Sequence, residues 1–199
     1  MSDAGTIRFY DEAAKRFDTL RADGPVAPAL ARFMAQLAPG ASVLDLGCGP
    51  GISAAHLIRE GFDVTALDAS ASLLDVARRL APEAHFVHAG FDALDAVAAY
   101  DAVWANFALL HAPRAEMPGH LAAIARALRP EGLFHLSMLT GTGEQRDDLD
   151  RAYTYYTPED LRRLTEAAGF VELDAETGTQ TGMGGKTEPF IALLLRRLP

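Results

Sequence analysis

Short runs of consecutive apolar residues alternate along this chain with longer segments in which apolar positions return every third or fourth residue. The runs Ser42–Leu46, Asp63–Leu67, His85–His88, Asp101–Asn106 and Leu133–Leu139 have the continuous hydrophobicity of strands buried on both faces. Between them, Ala27–Leu37, Ser53–Glu60, Ser72–Leu80, Glu116–Leu128 and Pro158–Ala168 carry helical periodicity, and several end at glycine or proline. The string Thr157-Pro158-Glu159-Asp160 is a helix start, with a threonine cap and proline at the first helical position. Strand and helix in alternation predict βαβ units and a parallel sheet, so the fold class is α/β. The C-terminal part breaks the rhythm. Phe170–Glu176 and Pro189–Leu195 are two strand-like runs joined by a Gly- and Thr-rich loop, which predicts an antiparallel hairpin.

At 199 residues and 49% hydrophobic content, with no internal repeat or long linker, the chain is expected to form a single domain over 1–199. A formal net charge of -9 opposes the positive field that a phosphate backbone requires, so no nucleic acid partner is expected. Cys48 is the only cysteine, which suits a reducing compartment. The first twenty residues mix charges with apolar positions, and no apolar stretch approaches the ~20 residues that cross a bilayer. The expectation is a soluble, cytoplasmic protein with no membrane partner.

The string most informative about chemistry is VLDLGCGPG, Val43 to Gly51, where a strand enters a glycine-rich turn and then a helix. Such a turn lets backbone approach a ligand where a Cβ would clash. Gly47, Gly49 and Gly51 follow a G-x-G-x-G spacing; the dinucleotide fingerprint would need glycine at Ile52, and the chain has no Tyr-x-x-x-Lys pair. A nucleoside-like ligand other than NAD is expected. The next strand ends at Asp68, about twenty residues after Gly47, the interval at which a carboxylate receives ribose hydroxyls. Asp68 serves that role, caps the helix beginning at DASASLL, or does both.

On these residues the chain resembles the class I S-adenosylmethionine-dependent methyltransferase family, small-molecule type, over nearly its whole length. VLDLGCGPG is similar to the family's first cofactor motif. YDAVWANFALLHAP, Tyr100 to Pro113, resembles its fourth strand and the active-site loop, LRPEGLFHLSML its fifth strand, and YTPEDLRRLTEAAGF the helix before its sixth. The resemblance implies a single Rossmann-like domain whose seven-stranded sheet has the order 3-2-1-4-5-7-6, the last strand antiparallel, with helices on both faces. It implies S-adenosyl-L-methionine as cofactor: Gly47 and Gly49, with Cys48 packed between them, line its amino-acid part, Asp45 holds its ammonium group and Asp68 its ribose. Asn106 and Phe107 line the sulfur end. One departure concerns adenine. Where many relatives carry an acidic residue this chain has Gly90, which leaves the Phe91 amide with packing from Ala69 and Leu73, or Asp92 one residue late.

The implied activity is in-line methyl transfer to a small-molecule acceptor, a reaction that needs a base only when the acceptor keeps its proton. His111, in the loop after the fourth strand, is the candidate base, or a loop histidine bonded to backbone. The segment 140–157 crowds Arg146, Tyr153 and other aromatic and basic residues into a candidate substrate lid, or into a solvated loop with packing tyrosines. An N-terminal helix within 1–25 is expected to cover the cofactor through Tyr10 and Phe17, or simply to pack on the domain. His85 and His88 point to opposite faces of a strand, so no shared metal is expected. A binding module without catalysis and a nicotinamide-dependent oxidoreductase are the rival functions.

Overall fold

The computed structural model describes residues 3–17, 19, 21 and 23–199, so positions 1, 2, 18, 20 and 22 of the expected N-terminal cover lie outside the described residues. Two helices, α1 (Ala4–Ala13) and α2 (Pro28–Met34), precede the alternating region. That region runs β1 (Ser42–Leu46), α3 (Ile52–Arg59), β2 (Asp63–Asp68), α4 (Ala71–Leu80), β3 (His85–His88), β4 (Tyr100–Asn106), α5 (Met117–Ala127) and β5 (Leu128–Leu139). The chain closes with β6 (Glu144–Arg146), β7 (Ala152–Thr154), α6 (Pro158–Ala167), β8 (Phe170–Thr181) and β9 (Thr187–Arg197).

Seven strands form one sheet in the order β3-β2-β1-β4-β5-β9-β8, and β6 and β7 form a separate antiparallel pair. The pairs among β1 to β5 are parallel, whereas β9 runs antiparallel to both β5 and β8. This is the expected topology, with the antiparallel strand set between its neighbours. Side chains alternate across the central strands with the period of two that a pleat imposes. Leu44, Val103 and Phe134 enter one apolar cluster with Leu121 and Ile124 of α5 and Leu161 of α6. Val43, Ala102 and Leu133 enter the other, with Leu30 and Phe33 of α2, Leu57 of α3 and Leu74 of α4. Helices therefore cover both faces.

Three boundaries differ from the sequence reading for identifiable reasons. α2 stops at Met34 rather than Leu37, because Gln36 and Leu37 bond to carbonyls three residues back and tighten the final turn. β5 begins five residues early through a bulge: Leu128 pairs with Tyr100, the register then jumps so that Ala102 meets Leu133, and Glu131 takes a φ of 63°. The Gly- and Thr-rich loop is mostly strand, paired from Thr177 with Ile191 to Thr181 with Thr187. Threonine suits an extended edge strand. A Cβ on Gly178 would lie 2.8 Å from the Phe190 ring, so the glycine admits that aromatic across the pair.

The carboxyl ends of β1, β2 and β4 open on one edge of the sheet, where crevices of parallel α/β sheets form. α1 lies over that edge. Its N-cap Asp3 accepts from the amide and hydroxyl of Thr6, and Arg146 of β6 grips both oxygens of Asp3 at 2.7 and 3.1 Å. The amide of Ala152 donates to Thr6 Oγ1 at 2.9 Å, so the β6–β7 hairpin is tied to the helix. Among the described residues no helix is long and apolar enough to cross a membrane.

Candidate functional site

The turn after β1 carries three glycines in left-handed conformation. Gly47 has φ 72°, and a Cβ there would fall 2.5 Å from that of Ala108; Gly51, the N-cap of α3, has φ 84° and would meet Ala77 at 2.7 Å. These two let the turn pack against the protein. Gly49 has φ 54°, yet a Cβ on it would meet nothing within 4 Å. Its freedom of packing faces a cavity of about 280 Å³ beneath α1.

Asp68 and Asp45 line this cavity together with Asp3, whose carboxylate is engaged by Thr6 and Arg146. Asp68, at the end of β2, accepts from the Gly49 amide on Oδ2 and from the Ser70 amide on Oδ1, both at 2.8 Å. Each oxygen keeps a further lone pair. Burial raises the Asp68 pKa and the backbone amides pull it back. Asp68 is not the helix cap: Ser70 fills that position, accepting from Leu73 at 3.1 Å, and its own hydroxyl donates to Asp11 of α1 at 2.6 Å. Asp45, on β1, is 2% exposed, and its Oδ2 has no hydrogen-bond partner. Burial first, and the Asp68 charge second, push its pKa up to about 7. A buried carboxylate oxygen without a donor, beside a second carboxylate, is costly unless a cation completes it.

The third wall comes from β4 and the loop after it. Asn106 Oδ1 accepts from the Ser137 hydroxyl at 2.8 Å, and Ser137 lies 2.7 Å from His135 Nε2. Because the serine proton is committed to Asn106, His135 donates through Nε2, and the Asn106 amide nitrogen is left for the cavity. His135 stacks on Trp104 with centroids 3.8 Å apart, and burial holds its pKa down at about 3. Phe107 follows at φ 52°, an uncommon conformation for an aromatic residue, and turns the chain into the cavity wall.

His111 closes this side. Its Nδ1 lies 2.7 Å from the Ala152 carbonyl and its Nε2 3.0 Å from the Tyr10 hydroxyl. A carbonyl only accepts, so Nδ1 carries the proton and Tyr10 donates to Nε2. Burial holds the pKa of this imidazole down at about 4, and both ring nitrogens are engaged.

A second cavity of about 360 Å³ lies on the far side of Tyr10, Phe107 and His111, which line both. It is bounded by the β6–β7 hairpin, including Tyr153, and by the tip of the β8–β9 hairpin.

Of the residues proposed from sequence, Tyr10, Asp45, Gly47, Cys48, Gly49, Asp68, Ala69, Leu73, Phe91, Asn106 and Phe107 meet at the first cavity, as does Phe17. Gly90 and Asp92 line neither; Gly90 precedes the single helical turn that presents Phe91. Arg146 also lines neither, because Asp3 and Asp150 take its guanidinium. Burial and the two nearby carboxylates raise the Cys48 thiol well above its usual value, which leaves it inert as a nucleophile. Sequence reading missed Thr6, Ile7, Ser53 and Trp104 on the first cavity. Trp104 carried a weak signal as the single tryptophan of β4; its indole donates to Ser53 at 3.2 Å. The others had none.

Comparison with known proteins bears on what this site holds. The methyltransferase domain family matches residues 43–132, the stretch from β1 into β5. The chain is 35% identical over 158 residues to a ubiquinone biosynthesis O-methyltransferase of Xanthomonas axonopodis pv. citri, covering 70% of this chain and 65% of that one. It is 38% identical over 100 residues to a malonyl-[acyl-carrier protein] O-methyltransferase of Enterobacter lignolyticus, where the match spans 50% of this chain and 39% of the relative's length. Its fold superposes with a TM-score of 0.78 on Burkholderia thailandensis 1,6-didemethyltoxoflavin-N1-methyltransferase, solved with 1,6-didemethyltoxoflavin and S-adenosylhomocysteine bound. That match covers 98% of this chain and 88% of the other at 25% identity. With its sheet order, its glycine turn and its paired carboxylates, the chain belongs to the class I S-adenosylmethionine-dependent methyltransferase family.

Proposed function

We propose that the chain methylates a small molecule, with S-adenosylmethionine in the first cavity and the acceptor in the second. The observation that carries this reading is the shared wall: Tyr10, Phe107 and His111 separate a cavity built for a cationic, hydroxylated ligand from a second cavity of small-molecule size. The unpartnered Asp45 Oδ2 fits an ammonium group, the free lone pairs of Asp68 fit ribose hydroxyls, and the space at Gly49 fits a ligand lying on backbone. When bound, this cofactor supplies an electrophilic methyl group on a sulfonium. The residues of this chain contribute position and the exclusion of water: α1, locked by Tyr10 to His111 and by Asp11 to Ser70, covers the first cavity. Incubation with S-adenosylmethionine and an acceptor panel should release S-adenosylhomocysteine; tight cofactor binding with no release from any acceptor would favour a binding module instead.

Asp68→Ala removes two charge-assisted acceptors worth roughly 1.5 to 3 kcal/mol in total, so affinity for S-adenosylhomocysteine should fall about tenfold to hundredfold on calorimetry. Unchanged affinity in folded protein would remove Asp68 from the site.

His111→Gln should leave cofactor affinity within a few fold of the parent while lowering turnover, because the wall between the cavities loses its shape. With its pKa near 4, His111 acts by position, and the rate profile around neutrality should drop without changing form. Loss of a limb near pH 7 in the mutant alone would restore the role of base.

A further inference from the structure

The second cavity, read as the acceptor site, has two features that together restrict what enters it. Its cations are already neutralised. Arg151, 4% exposed, bonds Asp147 Oδ2 through Nε and Nη2 at 2.9 and 2.6 Å, with Phe9 and Tyr153 rings against the guanidinium. Lys186 bonds Glu188 at 2.6 Å, and Asp148 adds an exposed negative charge. A phosphorylated or polycarboxylate acceptor would meet no spare positive charge here.

Flat aromatic surface dominates what remains. The Tyr153 and Tyr155 rings lie 29° from parallel with centroids 6.2 Å apart, and His111 sits 4.8 Å from Tyr153. Tyr155 is fixed from both sides: its hydroxyl accepts from Gln145 at 2.6 Å and donates to Glu188 at 2.9 Å. The glycine-rich hairpin tip at Gly182, Met183 and Gly184 lines the same cavity.

We infer that the acceptor is a planar aromatic or heteroaromatic compound stacked on Tyr153–Tyr155, with the β8–β9 tip lining the same cavity. A lone pair on its nucleophilic oxygen or nitrogen forms the bond to the methyl carbon, the departing sulfur keeps the electron pair of the broken bond, the acceptor's own proton leaves to bulk water, and a neutral methylated product and neutral thioether result.

The proposal rests on the acceptor reading of this cavity, and its test separates the two. Calorimetry on the chain saturated with S-adenosylhomocysteine should show 2-naphthol binding at least tenfold more tightly than decahydro-2-naphthol, and Tyr155→Leu should erase the preference. Equal binding of the aromatic and saturated alcohols, or a preference that survives in Tyr155→Leu, overturns the proposal. Failure of S-adenosylhomocysteine itself to bind would sink the cofactor reading instead.

Discussion

Gly49→Val is expected to abolish measurable cofactor binding while the protein stays folded. At φ 54° a β-branched residue pays roughly 1–2 kcal/mol or more of backbone strain, and relief of that strain would move the Gly49 amide away from Asp68 Oδ2. Even an unrelieved valine projects its methyl groups into the cavity, since nothing of the protein lies within 4 Å of a Cβ at this position. Steric exclusion and loss of the Gly49–Asp68 contact act in the same direction, so affinity for S-adenosylhomocysteine should fall by more than about hundredfold. Circular dichroism establishes that the fold persists. Affinity within a few fold of the parent would mean that the open side of Gly49 is not where the ligand lies. The same substitution at Gly51 would instead collide with Ala77 and cost stability.

Asp45→Asn should have two effects of opposite sign. The carboxyl pKa is raised in the fold, so the folded state holds its proton more tightly than the unfolded state. The penalty for burying the charge is absent below the unfolded value near 4, grows as pH rises, and is complete above about 7. Removing the charge should therefore stabilise the ligand-free protein at pH 8 by on the order of 1–4 kcal/mol, with little gain at pH 4. Affinity for S-adenosylhomocysteine should drop at least tenfold, because the ammonium loses its charge partner. The wild-type affinity should rise with pH toward 7 as Asp45 gives up its proton, whereas the mutant should show no such rise. A mutant both less stable at pH 8 and equally able to bind would mean that Asp45 is a structural carboxylate with no ligand to complete it.

How much of this was legible in the sequence divides by distance along the chain. The central strands were readable because burial on both faces leaves continuous apolar runs, and the α6 start because Thr157 and Pro158 act locally. The pairing of the glycine turn with Asp68 was readable because one βαβ unit holds both ends at a near-fixed interval. The pairing that holds Arg146 off both cavities was not legible, because its partner Asp3 stands 143 residues away and no local pattern marks that pair. The bridge from Asp11 to Ser70 escaped for the same reason. The loop that carries His111 was legible, but its burial was not, since that depends on α1 and β7, which reach it only in the folded chain. The β8–β9 pair was drawn too short because glycine and threonine together read as loop, and only the Phe190 ring across the pair explains the glycine.

The central claim is that the first cavity holds the cofactor with its reacting end toward the Tyr10–Phe107–His111 wall. A crystal structure of the chain with S-adenosylhomocysteine tests it most directly. The account predicts the amino group on Asp45 Oδ2, the ribose hydroxyls on Asp68, and the sulfur on the side of the wall that opens to the second cavity. A ligand elsewhere, or one whose sulfur faces away from that wall while Asp45 Oδ2 stays unpartnered, would contradict it.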